Sequence, residues 1–183
     1  MNKLINEHAG EKRIEAFQKM CDLAEFFDGS IVETGSIRTW PRCPDGASTV
    51  ALAAIAKNFG REFTSIDINS PNIDTARFAL EQCGLAGNLV VDNSVVALRK
   101  IRNIGLLYLD SYDYEDECPE RCQRHAMAEI GAAWGGLSWR CVVAIDDWND
   151  KDGGKGGMVI PYLIDNKFKI QYEGYIRIYS RGI

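Results

Sequence analysis

The chain has 183 residues, 46% of them apolar, and a formal charge of −5, which is enough apolar material for one core at roughly 100–200 residues per domain. No run approaches the ~18 unbroken apolar residues of a membrane helix. The opening Met1-Asn2-Lys3-Leu4-Ile5-Asn6-Glu7 lacks the build of a secretory signal, so the expectation is a cytoplasmic protein with no membrane partner. Negative charge with scattered Lys and Arg excludes an extended basic face, so no nucleic-acid partner is expected.

In chain order, Ile14, Phe17, Cys21, Ala24 and Phe27 mark one face of a helix over 11–27, and Asp28-Gly29-Ser30 breaks it. Ile31-Val32 is a short strand ending at Glu33-Thr34-Gly35. A turn-rich loop over 36–46 holds Pro41, Pro44 and Gly46, and a helix follows over 47–58 with Asp45 or Ser48 as its cap. Residues 63–67 form a second strand ending in Asp67. Pro71 suits the first turn of the next helix, which stops at Gly84. Residues 89–91 are a third strand, followed by a helix over 94–101. Leu106–Leu109 is a fourth strand ending at Asp110. Cys118, Cys122, Ala126, Ile130 and Ala133 stripe the next helix, and 141–145 is a fifth strand ending at Asp146-Asp147. The Gly-rich run 150–157 reads as a mobile loop, able to close as a lid or simply to connect. Residues 158–165 read as a short helix, and 168–172 with 175–179 flank Glu173-Gly174 as a hairpin.

Strands four and five are continuous apolar runs, as expected when helices cover both faces of a parallel sheet. Alternating strands and helices imply right-handed crossovers. The fold class expected is therefore α/β: a Rossmann-like, doubly wound, mostly parallel seven-stranded sheet with a C-terminal antiparallel hairpin and helices on both faces. One domain covers 1–183, with 1–28 a helical lead-in and 29–183 the core. Of six cysteines, Cys21, Cys83, Cys122 and Cys141 lie in apolar stretches and read as buried reduced thiols.

Ligands of such sheets sit outside the carboxyl ends of the strands. Those ends carry Glu33, Gly35 and Ser36; Asp67; Asp92, Asn93 and Ser94; Asp110; and Asp146-Asp147. A carboxylate ending strand two is placed to accept bonds from both hydroxyls of a ribose. It lies well beyond the roughly 20 residues of a dinucleotide fingerprint, and no G-x-G-x-x-G is present.

Ile31-Val32-Glu33-Thr34-Gly35-Ser36 resembles motif I of class I S-adenosylmethionine-dependent methyltransferases, with Ile37 in place of the second glycine. The resemblance continues through Ser65-Ile66-Asp67-Ile68-Asn69, Val91-Asp92-Asn93-Ser94 and Leu107-Tyr108-Leu109-Asp110, and covers about residues 30–180. It implies an S-adenosylmethionine-dependent methyltransferase whose cofactor meets Glu33, Gly35, Ser36, Ser48, Asp67, Ile68, Asn93, Ser94 and Asp110. Ser48 and Thr49 stand where they can compensate for the missing glycine.

Asp110, Asp146 and Asp147 resemble the metal ligands of O-methyltransferases of the catechol and macrolide-sugar types. Carboxylates crowded at adjacent strand ends repel, and a hard cation such as Mg²⁺ relieves this. The expectation is a metal site at Asp110, Asp146 and Asp147 that assists O-methylation of a small-molecule hydroxyl. The catechol type carries a lysine base three residues after the strand-four acid, where this chain has Asp113. Asp113 and His125 therefore join Asp110 as the catalytic candidates, His125 also reading as a half-buried structural residue. Trp40, Tyr112, Tyr114 and Trp148 are candidates for an aromatic wall. An NAD-dependent oxidoreductase and a non-catalytic cofactor-binding or interaction domain are the rival readings, and self-association is left open.

Overall fold

The computed structural model describes residues 11–41 and 47–183; His8, Cys43 and the expected cap Asp45 lie outside the described residues. A 3-10 turn at Glu11–Arg13 leads into α1 (Ile14–Leu23). There follow β1 (Ser30–Thr34), α2 (Ser48–Phe59), β2 (Phe63–Asp67), α3 (Ser70–Gln82), β3 (Asn88–Val91) and α4 (Ser94–Leu98). The second half comprises β4 (Ile104–Leu109), α5 (Pro119–Ala133), β5 (Leu137–Ile145), α6 (Val159–Asp165), β6 (Lys169–Glu173) and β7 (Arg177–Arg181).

Local chemistry accounts for most boundaries. Pro71 and Pro119 sit in the first turns of α3 and α5, where a missing N–H costs nothing. Asn93 caps α4 by accepting from Val96 N. Gly60 ends α2 with φ 62°. Helix α1 is shorter than its apolar stripe predicts. The chain leaves it at Leu23, and Phe27 packs so closely on Gly105 that a Cβ there would fall 2.2 Å from the ring.

The strands form one sheet in the order β3-β2-β1-β4-β5-β7-β6. β1 through β5 pair in parallel, and β7 runs antiparallel to both β5 and β6. This is the expected seven-stranded sheet with its C-terminal hairpin. The hairpin turn is longer than expected, because Tyr175 leaves the ladder to bond Asp147 and Ile176 is buried.

The period of two along β4 divides its side chains between two cores. Leu106 and Tyr108 face one, together with Phe17 of α1, Leu52 and Ile55 of α2 and Ala76 of α3. Leu107 and Leu109 face the other, together with Leu98 of α4, Ile130 of α5 and Leu163 of α6. The strand order reverses between β1 and β4, so the crevice at their carboxyl ends is the topological switch point.

Candidate functional site

Glu33, at the end of β1, is fully buried and ringed by hydroxyls. It accepts hydrogen bonds from Ser48 Oγ, from Thr49 Oγ1 at 2.8 Å and from Ser65 Oγ at 2.6 Å. Burial pushes its carboxyl up to about 7, against the pull of those donors. The residue thus ties the start of α2 to β1 and β2. Ser48 does not cap α2; its hydroxyl serves Glu33 instead. Ile37, standing where a motif I glycine would be, gives its N–H to Thr49 Oγ1 at 2.9 Å, so the loop is tied at this point to the start of α2.

Gly35 carries φ +82°, and a Cβ there would lie 2.4 Å from the backbone oxygen of Asp110. Both facts require glycine. Gly35 also lines a cavity of about 400 Å³ at the switch point. The cavity is also lined by Ser36, Ser48, Asp67, Ile68, Asn93, Ser94 and Asp110. Every residue singled out for the cofactor lines it except Glu33, which sits behind the wall.

Asp67 is held from three sides. Its Oδ2 accepts from Ser36 N at 2.9 Å and Asn72 Nδ2 at 3.0 Å, and its Oδ1 from Asn69 N at 2.8 Å. A carboxylate offers about four lone-pair sites, so Oδ1, with one bond among the described residues, retains one, and Asn72 lines the cavity beside it.

The three carboxylates at the ends of β4 and β5 do come together, but as one ionic network with two cations of the chain. Lys155 Nζ bonds Asp110 Oδ1 and lies 2.8 Å from Asp147 Oδ2. Arg13 Nε lies 3.0 Å from Asp146 Oδ2, and its NH2 3.5 Å from Asp147 Oδ1. Tyr108 donates to Asp146 at 2.9 Å, and Tyr175 to Asp147. Burial alone would raise Asp147; Lys155, Tyr175 and Arg13 outweigh it and hold the carboxyl below its usual range. Lys155 is correspondingly held as an ammonium. Among the described residues no group of three or more His, Cys, Asp or Glu is arranged to hold a metal ion. The expected ligands Asp110, Asp146 and Asp147 thus stand together, and in this arrangement Lys155 and Arg13 relieve the repulsion that called for a divalent cation.

Asp113 and His125 also line the cavity. Asp113 is exposed at its rim and pairs with Arg38 at 3.0 Å, so it is not a further ligand of the acidic group. His125 Nε2 lies 3.2 Å from Ser94 Oγ and 3.3 Å from Glu129 Oε1. The bond to Glu129 raises the His125 pKa, against the effect of burial. Of the four aromatic candidates, only Tyr112 lines the cavity, with its ring 5.5 Å from that of His125. Tyr114 donates to Asp152, Trp148 lies under Arg177, and Trp40 packs on the core.

The Gly-rich run is packed, not loose. Gly153 through Gly156 are buried, and Gln123 Nε2 donates to Asp152 O and Gly154 O at 3.2 and 3.1 Å. A Cβ on Gly154 would fall 1.8 Å from Asp147 O. Sequence reasoning missed Lys155, Arg13, Asn69, Asn72 and Ser111 as contributors to this region. Only Asn69 and Asn72 carried a signal, through their places just after Asp67 on the entry to α3.

No protein-family model matches the chain, and no curated protein is significantly similar to it in sequence. Solved structures do resemble it. A protein from Streptococcus mutans in complex with SAH aligns with TM-score 0.61 at 14% identity, over 93% of this chain and 98% of the other. A SAM-dependent O-methyltransferase from Thermotoga maritima aligns with TM-score 0.61 at 10% identity, over 91% and 64%. An rRNA methylase from Streptococcus thermophilus aligns with TM-score 0.56 at 12% identity, over 94% and 97%. At such identities the likeness establishes the fold alone, which is that of the class I methyltransferases.

Proposed function

We propose that this chain is an S-adenosylmethionine-dependent methyltransferase that binds its cofactor in the switch-point cavity and methylates a small acceptor. The observation that carries this reading is the convergence of Gly35, Asp67, Asn93, Ser94 and Asp110, from four different strand ends, on one cavity of about 400 Å³. The fit is chemical as well as spatial. Gly35 lets the end of β1 lie against the Asp110 backbone and so shapes the cavity wall, and Asp67 keeps a lone pair for a ribose hydroxyl, with a second available where Asn72 yields. Ile68, apolar and exposed at the cavity edge, would cover an adenine ring. Asp110 lines the same cavity with its carboxyl engaged by the Lys155 ammonium.

When bound, S-adenosylmethionine supplies an electrophilic methyl group. The residues of the chain would then have three tasks: Asp67 would hold the ribose, Gly35 and Ser36 would bound the methionine part, and the rim would present the acceptor. Arg38, Tyr112 and Asp113 form that rim. Asp113, exposed and paired with Arg38, would take the proton of an acceptor hydroxyl, whose oxygen would gain the methyl as the methyl–sulfur bond breaks and S-adenosylhomocysteine leaves. His125 is assigned to the wall, since its Nε2 is engaged by Ser94 and Glu129. The acidic network does not fit Mg²⁺ as it stands, and no step is routed through a metal. The formal charge of −5 favours a small acceptor over RNA.

The test is transfer of label from methyl-labelled S-adenosylmethionine to a panel of hydroxyl compounds, with structured RNA as a control and EDTA in a parallel series. The expected result is labelling of a small acceptor that EDTA leaves unchanged, with kcat lowered about 10²-fold or more by Asp113→Asn. Labelling of RNA alone would refute the acceptor, and cofactor binding without any transfer would identify a non-catalytic binder.

A further inference from the structure

Asp110, Asp146 and Asp147 bring three negative charges to the tips of β4 and β5, and Lys155 and Arg13 bring two positive ones. The two cations are not equivalent. Arg13 reaches in from the 3-10 turn at the start of the described chain and clamps Asp146 from the outer side. Lys155 sits between two strands. Its ammonium is the point on which Asp110 Oδ1 and Asp147 Oδ2 converge, and its side chain is 4% exposed.

The turn that carries Lys155 is built to hold it there. Gly154, with φ +54°, presses against Asp147 O, where any Cβ would collide. Gln123 of α5 pins Asp152 O and Gly154 O, and a Cβ on Gly157 would fall 2.4 Å from Gln123 Nε2. Two glycines and one amide thus fix the approach of a single buried lysine to two carboxylates. An ammonium is a compact point charge, and two carboxylate oxygens converging on it present the hard donors that Mg²⁺, Ca²⁺ or Mn²⁺ also prefers.

We infer that Lys155 is the resident cation of this site: its ammonium, held between Asp110 and Asp147, keeps divalent metals out, and its removal turns the two carboxylates into a divalent-cation site. In the wild-type protein the positive charge beside the cavity is then covalently attached. It is independent of metal supply and cannot be stripped by a chelator. The inference needs no bound cofactor, so its failure and the failure of the transferase reading are separable.

The experiment is titration of Mn²⁺ into metal-free wild-type protein and Lys155→Ala, read by calorimetry and by the electron paramagnetic resonance signal of free Mn²⁺. The inference expects no Asp110-dependent Mn²⁺ binding by the wild type. It expects Lys155→Ala to bind at least about tenfold more tightly, equivalent to 1.4 kcal/mol, and to lose that gain when Asp110→Asn is added. It also expects the melting temperature lost by Lys155→Ala to be restored by Mn²⁺ in that variant alone. Wild-type protein that binds Mn²⁺ through Asp110 overturns the inference, as does a folded Lys155→Ala that gains no affinity. Should Lys155→Ala fail to fold with or without Mn²⁺, Lys155→Gln, which keeps the stem and a donor, is titrated in its place and judged by the same two results.

Discussion

Glu33→Gln should make the protein more stable above neutral pH and leave it nearly unchanged in mild acid. Glu33 is fully buried, and its carboxyl titrates near about 7 in the fold against an ordinary value of 4.5. Between those two values the folded chain binds a proton that the unfolded chain has lost. Stability therefore falls as pH rises through the interval, and stays lowered above it. The interval multiplied by 1.36 kcal/mol for each pH unit amounts to about 3 kcal/mol. Glutamine keeps the shape and stays neutral throughout, and the hydroxyls of Ser48, Thr49 and Ser65 can turn to accept from its amide as well as donate to its oxygen. Urea unfolding of both proteins across about pH 5 to 8 measures the difference. The expectation is a difference below about 1 kcal/mol near pH 5, growing to about 3 kcal/mol near pH 8, or roughly 6–12 °C in Tm for a chain of this size. A difference that is flat, or that grows toward acid, would refute the reasoning, because it would mean that Glu33 folds as a carboxylate.

Asp67→Ala should weaken S-adenosylmethionine binding by about 1–3 kcal/mol, the worth of charge-assisted hydrogen bonds, and should also lower the melting temperature, because Ser36 N and Asn69 N lose their acceptor; calorimetry and thermal unfolding check the two halves separately. Gly35→Ala should destabilise the fold. Its Cβ would meet Asp110 O at 2.4 Å, with about 1–3 kcal/mol for the overpacking and about 1–2 for the left-handed backbone, read as a lowered urea midpoint. His125→Gln should lose a pH-dependent contribution. The bond to Glu129 raises the His125 pKa in the fold, so its stabilisation is complete below the ordinary value and vanishes as pH rises through the raised one. The variant should therefore fall short of wild type near about pH 5 and match it near about pH 9.

The layout of the sheet was legible because the chain repeats one physical pattern. Apolar runs such as Leu106–Leu109 and 141–145 must be buried on both faces, and each ends in an acid. That pattern points to the strand ends from which Asp67, Asn93, Ser94 and Asp110 line one cavity. The counter-charges of the acidic tips were not legible. Arg13 meets Asp146 across 133 positions and Lys155 meets Asp110 across 45, and no periodicity links such partners. The run Gly153-Gly154-Lys155-Gly156-Gly157 misled for a definite reason. The absent Cβ that permits mobility equally permits contact with backbone, and here Gly154 uses it to lie against Asp147 O. The same ambiguity does not affect Gly35, because the acid two positions earlier and the strand before it narrow its role. Helix α1 ended early because Phe27 is spent on covering Gly105, a demand of β4 that a helical stripe does not reveal.

Titrating S-adenosylmethionine and NAD separately into metal-free protein probes the cavity most directly. Saturable one-to-one heat with S-adenosylmethionine, abolished or strongly weakened in Asp67→Ala, and none with NAD, is the predicted outcome. Heat with NAD alone, or S-adenosylmethionine binding indifferent to Asp67, would contradict the assignment of the switch-point crevice to an adenosyl sulfonium.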